Sequence, residues 1–135
     1  MEEEARCDFE GLYSDLTDRI IGCAVKVHKT LGPGFLESVY ENALAIELRS
    51  AGIPFERQLE IKLSYAGEVV GVHRLDMLAD DKVVVELKAK DQVAEADKAT
   101  TLSYLKATHK SLALILNFGK PRIEVKRLVN TENSP

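Results

Sequence analysis

The sequence predicts a single α/β domain of element order ααβββαββ, and three observations carry that prediction. Two N-terminal stretches repeat apolar residues at helical spacing, three later segments alternate at strand period, and another helical stretch precedes a continuous apolar run over residues 112–118. Alternation marks a half-buried strand, whereas the continuous run is of buried-strand type.

Residues 1–13 read as an acidic lead-in. Ser14 reads as an N-cap, and Ile20, Ala24, Val27 and Leu31 recur at helical spacing, so a first helix is expected to about residue 30. Leu31-Gly32-Pro33-Gly34 stops it. A second helix is expected from about Phe35, carrying Leu36, Tyr40, Ala43, Leu44 and Leu48 inward, with Gly52 as its stop and Pro54 beyond. Strands follow over 56–65, where Leu59, Ile61, Leu63 and Tyr65 alternate strictly, and over 68–79 and 83–89. Ala66-Gly67 reads as the hairpin turn between the first two. A third helix is predicted over about 93–108, with Ala99, Leu102 and Leu105 or Lys106 on its inner side. After the buried run, Gly119-Lys120-Pro121 turns the chain into a last strand over 122–128, and residues 130–135 form a polar, flexible tail.

A length of 135 residues suits one domain, and 45% hydrophobic with 30% charged residues is ordinary for a globular protein. No apolar run approaches the ~20 residues that span a bilayer. The start Met1-Glu2-Glu3-Glu4 is the opposite of a signal-peptide n-region, so a cytoplasmic location is expected. Cys7 and Cys23 form neither a disulfide framework nor a metal knuckle, in keeping with a reducing compartment. The net charge of −4 argues against broad attraction to nucleic acid, but it is uneven: residues 1–81 hold 8 basic against 16 acidic side chains, and residues 82–128 hold 10 against 5. The basic half, including Lys90, Lys98, Lys106, Lys110, Lys120, Arg122, Lys126 and Arg127, either tracks a phosphate backbone or forms ordinary solvated faces.

The chemistry concentrates in Asp76 and Glu86-Leu87-Lys88, which place two carboxylates and an ammonium inside strand-like stretches. If Asp80-Asp81-Lys82 forms the turn, Ala79 pairs with Val83, Asp76 lies opposite Glu86, and Arg74 lies opposite Lys88. Asp76, Glu86 and Lys88 then share one face, while Leu75, Met77, Val83, Val85 and Leu87 point to the other. A shorter turn would set Asp76 against Val85 and scatter the group unless a bulge intervened. Adjacent carboxylates with phosphate oxygens and water suit Mg²⁺, and Lys88 would oppose negative charge on a phosphoryl group. The competing reading of E-x-K is a solvated strand face.

This order, with Asp on the second strand and E-x-K on the third, resembles the PD-(D/E)XK nuclease superfamily, whose restriction-endonuclease-like core is αβββαβ. Here it would carry an added N-terminal helix and C-terminal strand. Gly34-Phe35-Leu36-Glu37-Ser38-Val39-Tyr40 is similar to the pattern naming the GxxExxY family, a mainly prokaryotic group within that superfamily. The resemblance continues through Arg74-Leu75-Asp76, Val85-Glu86-Leu87-Lys88-Ala89, Ser103-Tyr104-Leu105-Lys106-Ala107-Thr108 and Asn117-Phe118-Gly119, covering residues 14–129. It implies Asp76 and Glu86 as metal-binding carboxylates, Lys88 as the catalytic lysine, and Glu37 as a helix-borne acid that completes the Mg²⁺ or Mn²⁺ ligand set or holds a metal-bound water. Glu37 also sits in the first turn of its helix, where capping alone favours a carboxylate. Tyr40, Arg74, Thr100 and Tyr104 are candidates for positioning substrate, Tyr40 being equally well read as a core residue. Two positions depart from the family pattern: Thr100 stands where it has glutamine, and Asp97 where it has histidine.

His28, His73 and His109 are too scattered for a nucleophilic triad, and Ser38, Ser64 and Ser103 lack a base at a recognisable spacing. Strand parity turns His73 away from Asp76 unless a bulge intervenes, so it reads as structural. Gly32-Pro33-Gly34 lacks a phosphate-loop lysine and reads as a plain loop. The leading expectation is a metal-dependent nuclease hydrolysing phosphodiester bonds of nucleic acid. The alternatives are an inactive nuclease-fold module with a structural or self-assembling role, and a nucleic-acid binder that does not cleave. A homo-oligomer, at least a dimer, is expected, with Phe9, Leu12, Tyr13 or the edge of the last strand as contact surfaces.

Overall fold

A computed structural model of the chain describes residues 11–131. Cys7, Phe9 and the rest of the lead-in before Gly11 lie outside the described residues, as do residues 132–135. The elements are α1 (Ser14–Leu31), α2 (Glu37–Ser50), β1 (Phe55–Tyr65), β2 (Glu68–Ala79), β3 (Val83–Lys88), α3 (Glu95–Thr108), β4 (Leu112–Asn117) and β5 (Glu124–Val129). This is the predicted mixed α/β order. The strands form one sheet in the order β1-β2-β3-β4-β5, antiparallel except for β3 and β4, which α3 connects as a parallel crossover.

The central strands are apolar on both sides because both faces of the sheet are covered. Met77, Ala79, Val83, Val85, Leu87, Leu112, Leu114 and Leu116 pack with Ile20, Ala24 and Val27 of α1 and Tyr40, Leu44, Ala45 and Leu48 of α2. On the other face, Leu75, Leu78, Val84 and Ala113 pack with Leu105 of α3, flanked by Leu59, Ile61, Leu102 and Tyr104.

Several local expectations need correction. Ser14 begins α1 but does not cap it; Tyr13, at φ 52°, is the cap residue and no side chain caps the end. Leu36 is 77% exposed and Phe35 48%, because α2 starts only at Glu37 and both residues precede its inward-facing stripe. The end of α2 follows the sequence: Gly52 takes φ 74°, its N–H reaches Arg49 O, and Ile53 N–H reaches Leu48 O, a Schellman stop. In α3 the inner residues are Thr101 and Leu105, while Ala99 and Lys106 face solvent. Ala66 and Gly67, at φ 53° and 83°, make the expected hairpin turn.

Candidate active site

The turn between β2 and β3 sets the register of the site. Asp80 and Asp81 take φ 52° and 57°, Lys82 N–H donates to Ala79 O at 3.0 Å, and the ladder runs Ala79↔Val83, Leu78↔Val84, Met77↔Val85. One step further the ladder stops, where Asp76 and Glu86 would pair. Their side chains take over the backbone bonding: Leu87 N–H donates to Asp76 Oδ2 at 2.8 Å, and Asp76 N–H donates to Glu86 Oε2 at 3.3 Å. Each carboxylate is fixed through one oxygen, and Asp76 Oδ1 and Glu86 Oε1 keep no protein hydrogen bond among the described residues. Lys88 follows on the same strand face as Glu86. Arg74 does not reach Lys88; β2 has left β3 by then, and Arg74 lies opposite Glu60 of β1 on an exposed stretch.

A break in β1 accompanies the break in β2. Gln58 takes φ 51°, and the pairing passes from Arg57↔Met77 to Leu59↔Leu75, skipping Gln58 and Asp76. Residues of equal parity therefore change faces across this point. Met77 packs under α1 and α2, yet Leu75 packs under α3, which corrects its predicted placement. His73 follows Leu75 onto the α3 side. Its ring lies against Tyr104 at 3.8 Å between centroids and 14° between planes. Glu41, one turn beyond Glu37 on α2, clamps the break: its carboxylate accepts from Arg57 Nε at 2.9 Å and Gln58 Nε2 at 2.8 Å.

Electrostatics tie these groups together. Burial first, and the Asp76 carboxylate second, push the Glu86 carboxyl up to about 8. Burial raises Asp76 as well, with Glu41 adding to it. Glu37, the first residue of α2, is raised by withdrawal of its carboxylate from water and by Asp76, while Lys88 and a hydrogen bond from the Ala89 backbone act the other way. Glu37 thus reaches across to the end of β3 rather than only capping its own helix. Burial, and then Glu86, raise the Tyr104 phenol. Several acids crowded against one lysine make a site short of positive charge.

The segment leaving Lys88 is held rigidly. Phe118 N–H donates to Lys88 O at 2.8 Å; Asn117 Oδ1 accepts from Lys90 N–H at 3.1 Å, and Asn117 Nδ2 donates to Lys90 O at 3.0 Å. A Cβ on Gly119 would sit 2.4 Å from Lys90 N, so only glycine fits this crossing. Asp97 of α3 holds the lysines: its carboxylate lies 2.8 Å from Lys90 Nζ and 3.9 Å from Lys88 Nζ, and hydrogen bonding from Lys90 keeps its carboxyl below the usual range.

Of the remaining candidates, Thr100 is exposed on α3. Tyr40 is fully buried, stacked on Phe118 at 4.6 Å; its hydroxyl donates to Gly32 O and accepts from Phe35 N–H at 3.2 Å. It anchors the Gly32–Phe35 loop from within the core. Much of the basic half is engaged in ion pairs: Lys98 with Glu95, Lys110 with Asp81, and Lys120 and Lys126 with Glu124. Leu12 and Tyr13 pack against the core and stay partly exposed. The sequence reading missed the clamp made by Glu41 and the lysine-holding role of Asp97. The glutamine with positive φ opposite Asp76 leaves no trace in the apolar alternation, so no sequence signal marks them.

The donor set suits a hard divalent cation: two fixed carboxylates, each with an oxygen to spare. Among the described residues no three of His, Cys, Asp and Glu gather closely enough to enclose an ion. Two carboxylates with water and substrate oxygens are the arrangement Mg²⁺ favours. No helix among the described residues is long and apolar enough to cross a membrane.

A family model described as the PD-(D/E)XK nuclease superfamily matches residues 14–128. No curated protein and no solved structure matches the chain.

Proposed function

Because the chain belongs to the PD-(D/E)XK nuclease superfamily, we propose that it is a Mg²⁺- or Mn²⁺-dependent nuclease that hydrolyses phosphodiester bonds of nucleic acid in the cytoplasm, as a member of the GxxExxY group. The observation that carries this reading is the interlock of Asp76 and Glu86, each carboxylate bound to the other strand's backbone, beside Lys88. Asp76 and Glu86 would hold the cation. When bound, it supplies positive charge against the phosphoryl oxygens and makes a water more acidic. Lys88 stabilises the charge that grows on the phosphoryl group in the transition state, and Asp97 and the Asn117 clamp keep that lysine and its backbone in place. Glu37 ties α2 to Ala89 and sets the rim of the site. Self-association, at least to a dimer, is part of the reading, since one small domain has little surface for gripping a duplex.

The test is a mixed panel of single- and double-stranded DNA and RNA incubated with purified protein in Mg²⁺ or Mn²⁺, beside Glu86→Ala and a chelator control. Cleavage lost with both the variant and the chelator supports the reading; cleavage indifferent to both rejects it. The rival, an inactive structural module, draws on Asp97 and Thr100, where the family pattern has histidine and glutamine. A wild type that cleaves nothing on the panel would favour it.

A further inference from the structure

His73 carries an inference that rests on the nuclease reading and extends it. The paired break at Gln58 and Asp76 brings this ring to the α3 side of the sheet, flat against Tyr104 and within electrostatic reach of Asp76 and Lys88. Its two nitrogens are not equivalent. Among the described residues neither nitrogen has a hydrogen-bond partner; Nε2 is buried and Nδ1 is not. A buried N–H with no acceptor is rarer and costlier than a buried lone pair, so the proton belongs on Nδ1, where a partner from outside can accept it. This is the reverse of the tautomer that free neutral imidazole prefers. Tyr104 fixes the plane of the ring, and therefore the direction of that donor.

We propose that His73 is a substrate-contacting residue of this site, presenting a neutral Nδ1–H donor to a phosphate oxygen of the bound strand. A neutral donor suits this position. It attracts a phosphate oxygen without competing with Lys88 for the carboxylates, and a rigid stacked ring loses little freedom on binding. The alternative is that His73 only packs against Tyr104.

Two variants separate these roles. His73→Phe keeps a flat ring and removes both nitrogens; His73→Asn removes the ring but places an amide donor at the position of Nδ1. With the oligonucleotide that the wild type cleaves in Mg²⁺, His73→Phe is expected to lose about tenfold in kcat/KM, the worth of one hydrogen bond to a charged group, at an unchanged unfolding midpoint. His73→Asn is expected to recover most of that loss. In ¹⁵N-edited NMR of the full chain, the coupling pattern of the His73 ring should report the Nδ1–H form. An Nε2–H tautomer, full activity in His73→Phe, or no advantage of His73→Asn over His73→Phe would each overturn the contact while leaving the nuclease reading intact. A wild type inert on every substrate would remove that reading, and this contact with it.

Discussion

Glu86→Gln is expected to stabilise the protein in alkaline solution and to change it little in acid. Glu86 is 5% exposed, and its carboxyl is raised from an ordinary 4.5 to about 8 by burial and by Asp76. The folded protein therefore keeps a proton that the unfolded chain loses above 4.5. The stability this contributes is complete below pH 4.5 and is lost as pH rises through about 8. The gap corresponds to about 5 kcal/mol at most. Glutamine matches the carboxylate in shape, still accepts the Asp76 N–H, and never has to ionise. Urea unfolding in a chelator at pH 5, 7 and 9 should give a variant-minus-wild-type difference under about 1 kcal/mol at pH 5, growing to roughly 2–4 kcal/mol at pH 9. Saturating Mn²⁺ should narrow the difference, because only the wild type keeps both carboxylates, and an ion at a hundredfold excess over Kd adds about 2.7 kcal/mol. A difference of the same size at pH 5 and pH 9 would show that Glu86 holds no extra proton in the folded protein.

Three other outcomes are expected. Lys88→Ala should lower kcat at least about 100-fold while moving the unfolding midpoint by less than about 0.5 kcal/mol, since a partly exposed ammonium contributes to the transition state more than to the fold; a variant as active as wild type would point to another site. Gly119→Ala should destabilise by roughly 1–3 kcal/mol in urea, because its Cβ meets the Lys90 backbone at 2.4 Å; an unchanged midpoint would mean that the crossing relaxes freely. Light scattering at micromolar concentration should give at least twice the 15.0 kDa of one chain, with Val69, Val70 and Val72 of the β2 arm left exposed to meet a second copy; a mass of 15 kDa would reject self-association.

The order of elements is legible in the sequence because each strand and helix carries its own period, and the turn residues Ala66-Gly67 and Asp80-Asp81-Lys82 punctuate them. The Ala79↔Val83 register follows from turn length alone, and it suffices to bring Asp76 beside Glu86. What stays hidden depends on tertiary context. The exchange of faces at Gln58 keeps Leu59 and Ile61 apolar at odd positions, just as an unbroken strand would, so period alone places Leu75 wrongly and turns His73 away from the site. Tyr40 reads equally well as a site or core residue until its hydroxyl is seen holding Gly32 and Phe35. The basic half suggests a phosphate track by count, but its ion pairs with Asp81, Glu95, Asp97 and Glu124 are visible only once the chain is folded.

The most direct measurement follows Mn²⁺ occupancy by electron paramagnetic resonance and oligonucleotide cleavage in the same titration. Both should saturate together in the wild type, and Asp76→Ala and Glu86→Ala should abolish both in folded protein. Cleavage that persists in either variant, or that rises at Mn²⁺ concentrations unrelated to occupancy, would contradict a nuclease site built on Asp76 and Glu86.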